Sequence, residues 1–145
     1  MFTGEHVHTL DAKGRLTLPA KYRSQLAEGL MITKGEDFCL QIYPLRAWEK
    51  KQQEVEALST ASAKNREYRR AFYSSSEDGE LDGQGRVLIG KRHRKYAGFE
   101  KEIAVIGAGE FVELWGATQW EAQRQASDAA LGNRDDNAPA GAGET

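Results

Sequence analysis

The chain of 145 residues, 39% of them apolar, holds one domain's worth of sequence and is too short for a large enzyme with a separate cofactor domain. One cysteine, Cys39, excludes an intrachain disulfide and a Cys-based zinc site; the start lacks a signal-peptide pattern, and no apolar run reaches the roughly 18–20 residues of a membrane helix, so a soluble, cytoplasmic protein with no membrane association is expected. Net charge of −2 and a pI near 6.0 argue mildly against a nucleic-acid binder, but the charge is uneven: residues 1–100 hold 17 Lys/Arg against 14 Asp/Glu, and 101–145 hold 3 against 8.

Glu5–Leu10 reads as a strand, and Asp11-Ala-Lys-Gly14 as a turn, because Asp accepts from backbone N–H groups ahead of it and Gly tolerates positive φ. Arg15–Leu18 is a short strand ended by Pro19, which suits a first helical position, so Ala20–Ala27 is a short helix closed by Gly29. Leu30–Lys34 and Phe38–Tyr43 are strands joined by a Gly35-Glu-Asp37 hairpin. Pro44 opens a helix over Leu45–Leu58, with Leu45, Trp48, Val55 and Leu58 mostly on one face. Ala61–Tyr73 is an extra, linking helix. A strand to Leu81, a turn, Arg86–Ile89, a helix to Ala97, strands Glu102–Ile106 and Phe111–Trp115, and a helix Ala117–Leu131 follow. The tail Gly132–Thr145, rich in Gly, Ala, Asp and Asn, is expected to be disordered.

The second half repeats the first. Leu10-Asp-Ala-Lys-Gly-Arg-Leu-Thr-Leu-Pro-Ala-Lys-Tyr-Arg23 aligns with Leu81-Asp-Gly-Gln-Gly-Arg-Val-Leu-Ile-Gly-Lys-Arg-His-Arg94 at a constant offset of 71, and Cys39–Glu49 aligns with Phe111–Glu121 at 72. Tyr43 meets Trp115 and Trp48 meets Trp120. Two ordered blocks at nearly one offset indicate a duplication. The division expected is a first repeat over 1–58, a linking helix over 59–73, a second repeat over 74–131 and the tail 132–145.

The bases cluster in the repeated blocks: four against one acid over Asp11–Arg23, five against one over Asp82–Lys95. A tight Asp-x-x-x-Arg turn presents Lys13 and Arg15 from a rigid β edge. Arg offers a planar fork for guanine O6/N7 or a phosphate, and Lys a point charge. Gln84 stands where Lys13 does and carries no charge, so the second turn is expected to bind more weakly or to read a different base. Blander readings stand beside these. Asp11 and Asp82 suit turn stabilisation better than DNA contact, and Arg15 and Arg86 could serve only in salt bridges with them. Lys13 could be a solvated charge, and Arg23 and Arg94 could cap carbonyls or pair across an interface. Lys91–Lys95 is a phosphate patch or a solvated helix face; Lys64, Arg66, Arg69 and Arg70 read as solvated or interface charges.

No catalytic, cofactor-binding or metal-binding pattern appears. His6 and His8 share one side of a strand, but they and His93 lack any ligand spacing. Walker, Gly-x-Gly-x-x-Gly and Gly-x-Ser-x-Gly motifs are absent from the sequence. Cys39, matching Phe111, reads as a small core residue, and Tyr43, Trp48, Trp115 and Trp120 as core or subunit interface. Glu36 and Asp37 read as polar loop.

Met1-Phe-x-Gly, Leu10-Asp-x-Lys-Gly-Arg-Leu-x-x-Pro-x-x-Tyr-Arg23, Asp82-x-x-Gly-Arg86 and Phe111-x-Glu-Leu-Trp115 together resemble the MraZ family of bacterial transcriptional regulators, over residues 1–131. The resemblance implies the AbrB-like swapped-hairpin class: an α+β, mainly β fold in which two tandem hairpin/helix repeats form a pseudo-two-fold barrel. It also implies a ring-shaped homo-oligomer, DNA binding through both Asp-x-x-x-Arg loops, and control of the promoter of the division and cell-wall gene cluster. The expected function is thus a sequence-specific, nucleoid-associated repressor, reading repeated short boxes in double-stranded promoter DNA by avidity. Lys13, Arg15, Gln84 and Arg86 would contact DNA; Asp11, Gly14, Asp82 and Gly85 would shape the loops; Lys21, Arg23, Arg92 and Arg94 would touch phosphates. A non-catalytic ring scaffold and an antitoxin-like interaction module are the alternatives, the latter weakened by a tail without apolar anchors.

Overall fold

A computed structural model describes residues 1–135. Eight strands alternate with five helices: β1 (Glu5–Thr9), β2 (Arg15–Thr17), α1 (Ala20–Arg23), β3 (Leu30–Lys34), β4 (Leu40–Pro44), α2 (Leu45–Glu56), α3 (Ala63–Ser75), β5 (Glu77–Gly79), β6 (Arg86–Leu88), α4 (Lys91–Ala97), β7 (Glu102–Gly107), β8 (Val112–Gly116) and α5 (Ala117–Gly132). The fold is mixed α+β with antiparallel pairing throughout.

Six strands form one sheet in the order β1-β7-β8-β4-β3-β5, and β2 pairs with β6 as a separate ribbon. The six-strand order maps onto itself when the repeats are exchanged, β1 for β5, β3 for β7 and β4 for β8. The local two-fold passes through the Gln41–Glu113 pair in the sheet and the Leu16–Val87 pair in the ribbon. Pairing is exchanged between halves: β1 bonds to β7, and β5 bonds to β3.

Strand alternation sorts side chains to two sides of the sheet. Leu30, Ile32, Leu40, Ile42, Ile103, Val105, Val112 and Leu114 face the ribbon and pack in one core with its Leu16 and Val87 and with Leu18 and Ile89 just beyond its strands. On the other side, Tyr43 packs with Trp48 and Val55 of α2 and Phe72 of α3, and Ala104 and Trp115 pack with Cys39 and Trp120. The repeated aromatics are therefore core, and Cys39 is fully buried, with its thiol pushed up mainly by desolvation. A polar seam ties α3 to the sheet: Thr33 Oγ1 lies 3.2 Å from the Phe72 carbonyl oxygen and 3.1 Å from Ser75 Oγ.

Several boundaries differ from expectation. The helix after Pro19 keeps α geometry only to Arg23 and tightens to a 3₁₀ turn over Ser24–Leu26. Glu36–Phe38 also forms a 3₁₀ turn, with Asp37 and Phe38 at φ 63° and 61°, so β4 starts at Leu40 rather than Phe38. The strand before the second turn stops at Gly79, short of Leu81, and β6 stops at Leu88, short of Ile89. Helix α2 ends at Glu56, two residues early; α3 starts at Ala63 because Ser62 Oγ accepts from Asn65 N–H at 3.2 Å. Gly132, the first residue of the expected disordered tail, is the last of α5, and residues 136–145 of that tail lie outside the described residues.

Candidate nucleic-acid interface

The two Asp-x-x-x-Arg turns are built alike, bond for bond. Asp11 Oδ1 accepts from Lys13 N–H at 2.9 Å and Arg15 N–H at 2.8 Å, while Oδ2 accepts from Arg15 Nε at 2.8 Å. Asp82 Oδ1 accepts from Gln84 and Arg86 N–H groups, both at 2.9 Å, and Oδ2 from Arg86 Nε at 2.7 Å. Backbone bonds close each turn: Gly14 N–H to the Asp11 carbonyl at 3.0 Å, and Gly85 N–H to the Asp82 carbonyl at 2.9 Å. The backbone N–H of Arg15, with its guanidinium, holds the Asp11 carboxyl below its usual range, and the same groups of Arg86 bring Asp82 to about 2. Both acids are thus anionic turn clamps, the structural role the sequence favoured for them.

Each clamp engages the Nε edge of its arginine. Among the described hydrogen bonds none uses the Nη nitrogens of Arg15 or Arg86, whose side chains remain 32% and 27% exposed. An Nη pair is what a guanidinium offers to a phosphate or a base edge. The salt bridge therefore leaves each partly exposed guanidinium an Nη pair with no hydrogen bond among those described.

Gly14 and Gly85 sit at φ 82° and 76°, where side chains are strained. Each also lies under an arginine of the other repeat: Gly85 under Arg23, and Gly14 under Arg94. Arg23 donates from Nε and Nη2 to the Leu18 carbonyl at 3.2 and 3.1 Å, and Arg94 donates from Nη1 to the Ile89 carbonyl. These two arginines cap a carbonyl of their own repeat, the capping alternative among their readings, while packing over the turn of the other repeat. Lys13, Lys21, Gln84 and Arg92 are exposed.

The ribbon brings the turns together. Leu16–Val87 is its centre, and Arg15 and Arg86 flank that centre on the face turned away from the core. Within Lys91–Lys95, His93 is buried, and its Nε2 donates to the Ser75 carbonyl at 2.7 Å, so this run is not a continuous charged patch. Arg66 bonds to the Thr60 and Ala61 carbonyls, Arg69 pairs with Glu56 and Arg70 with Glu67, while Lys64 is exposed. Sequence reasoning did not single out Thr17 and Leu88, which share the outward face; the period-two alternation about Leu16 and Val87 was the signal for them.

Fold and site together define a two-repeat α+β protein with a cationic β-ribbon displayed on a pseudo-two-fold axis. The family model described as "MraZ protein, putative antitoxin-like" matches residues 1–71 and again 72–139. The chain is 42% identical over 138 residues to the transcriptional regulator MraZ of Corynebacterium kroppenstedtii, covering 95% of this chain and 96% of that one. Its identity to the protein of that name from Cutibacterium acnes is 44% over 131 residues (90% and 92%), and to that from Moorella thermoacetica 42% over 129 residues (88% and 90%). The chain belongs to the MraZ family, a family of transcriptional regulators and not of enzymes. Among the described residues no helix is long and apolar enough to cross a membrane.

Proposed function

We propose that the chain is a sequence-specific regulator that binds double-stranded promoter DNA through the outward face of the β2–β6 ribbon. The observation that carries this reading is the paired clamp: two turns bonded alike lock two partly exposed guanidiniums by Nε and leave their Nη nitrogens without a described hydrogen bond. A major groove about 12 Å wide admits a two-stranded ribbon. Lys13 and Gln84 at the turn tips, with Lys21 and Arg92 beyond them, supply contacts to phosphate or base. Arg23 and Arg94 act through the turns they cover. The repeats 1–58 and 74–131, joined through 59–73, work as one ribbon-bearing unit. In a homo-oligomeric ring such units engage successive short boxes, and weak single contacts add by avidity. The target is the division and cell-wall cluster's promoter, and the protein acts there as a repressor, in the cytoplasm and at the nucleoid.

A gel shift at two salt concentrations tests this, with the DNA upstream of the protein's own gene as probe and a scrambled competitor. Specific binding should weaken steeply with salt, because log K falls by about 0.9 per phosphate for each decade of salt. Arg15→Ala/Arg86→Ala should lose it. Arg15→Lys/Arg86→Lys, which keeps charge and loses the fork, should retain only non-specific binding. A folded double-Ala variant with full affinity moves the site off the ribbon; no specific binding at low salt favours a scaffold or the antitoxin-like role.

A further inference from the structure

On a two-stranded ribbon, buried Leu16 and Val87 fix the outward direction of their neighbours Arg15, Thr17, Arg86 and Leu88. Three of these four are polar. Leu88 is apolar and 63% exposed, and its counterpart in the first repeat is Thr17. Leu18 N–H bonds the Gly85 carbonyl at 3.0 Å and Ile89 N–H bonds the Gly14 carbonyl at 2.8 Å. Those bonds bracket the ribbon, so Arg15 and Leu88 form a non-hydrogen-bonded pair, the kind whose side chains lie closest. A lone surface leucine is ordinary. A leucine paired with an outward guanidinium, at one end of the face that carries both clamps, is placed where a ligand on that face would touch it.

Leu88 has no hydrogen-bonding group, so what it recognises in a major groove is apolar, and the apolar group displayed there is the thymine C5-methyl. We propose that Leu88 is a specificity-determining residue that packs on the 5-methyl of a thymine neighbouring the position held by Arg15. This rests on the DNA-binding reading above. Thr17 is shorter and only half-exposed, so it offers less apolar surface; methyl reading is stronger on the Leu88 side of each ribbon.

The test is a deoxyuridine scan of the duplex from upstream of the gene, replacing one thymine at a time, which removes one methyl and leaves base pairing intact. Wild-type protein should lose about fourfold in affinity at one or a few thymines, the worth of one buried methyl group. Leu88→Ala should bind the parent duplex several-fold more weakly, with its affinity no longer changed by deoxyuridine at those positions. The same scan includes Arg15→Ala/Arg86→Ala. If that variant binds like wild type, the ribbon reading fails and this inference falls with it. If the variant loses binding but wild type ignores deoxyuridine throughout, or if Leu88→Ala keeps the wild-type sensitivity, the ribbon stands and the Leu88 assignment is overturned. A change of oligomeric mass in Leu88→Ala by sedimentation, with unchanged deoxyuridine sensitivity, assigns the leucine to a contact between copies instead.

Discussion

The crossing of Arg23 over Gly85 yields a sharp stability prediction. An alanine at position 85 meets two obstacles. Its φ of 76° is left-handed, which costs an L-residue roughly 1–2 kcal/mol. Its Cβ would also fall inside contact distance of the Arg23 side chain, which must leave Leu18's carbonyl; a hydrogen bond to a charged group is worth about 1.5–3 kcal/mol, less where half-exposed. Together these put Gly85→Ala at about 2–4 kcal/mol of destabilisation. Gly83, two residues earlier in the same turn, is the control: a Cβ there meets nothing within 4 Å, and its counterpart in the first repeat is already Ala12. Gly83→Ala should be neutral, or stabilising by up to about 1 kcal/mol through the unfolded state. Urea unfolding followed by circular dichroism, at one fixed protein concentration so that any self-association is held constant, gives both values. A loss below about 0.5 kcal/mol for Gly85→Ala, or equal effects at the two glycines, would refute the crossing as a source of stability.

Stability should also fall in acid: a depressed folded-state pKa stabilises above the unfolded value and is lost on the way down, so for Asp82 the window runs from its ordinary 3.8 to about 2. Asp82→Asn should flatten the dependence of Tm on pH in that window, and an unchanged profile would discount the clamp. Ser62→Ala removes the cap of α3 and should cost about 1 kcal/mol in urea unfolding. For DNA, Arg15→Ala should lose more affinity than Gln84→Ala, and equal losses would overturn that ranking of the turns. Gln84→Lys should steepen the salt dependence by about one phosphate contact, read from log K against log salt.

Most of what positions the ribbon was legible in sequence because it is local. Asp11 and Asp82 announce their turns three residues before a glycine, and Pro19 and Pro44 mark chain reversals into helices. What escaped was pairing across distance. A strand's alternation says which face is buried, not which strand lies beside it, so nothing in Glu5–Thr9 says that it bonds to Glu102–Gly107. The same limit hid what Arg23 covers: capping of a carbonyl was among its readings, and it caps that of Leu18, but its packing over Gly85 in the turn of the other repeat had no local signal. His93 lies inside a basic run of the sequence, yet α4 turns it inward onto the Ser75 carbonyl. Asp37 and Phe38 both take positive φ; aspartate tolerates that region, but nothing in the residue type marks Phe38 for it.

The exchange of β1 and β5 between halves has an evolutionary reach. Two identical polypeptides swapping strands in this way must show the same side chain at both symmetric positions, so any change of specificity appears twice. Covalent fusion removes that constraint, and this chain has used the freedom where the axis passes. Gln41 faces Glu113, and the hydroxyl of Tyr43 bonds one as the indole of Trp115 bonds the other. Lys13 has diverged from Gln84, and Thr17 from Leu88. The scaffold keeps its symmetry while the surface it displays has a direction.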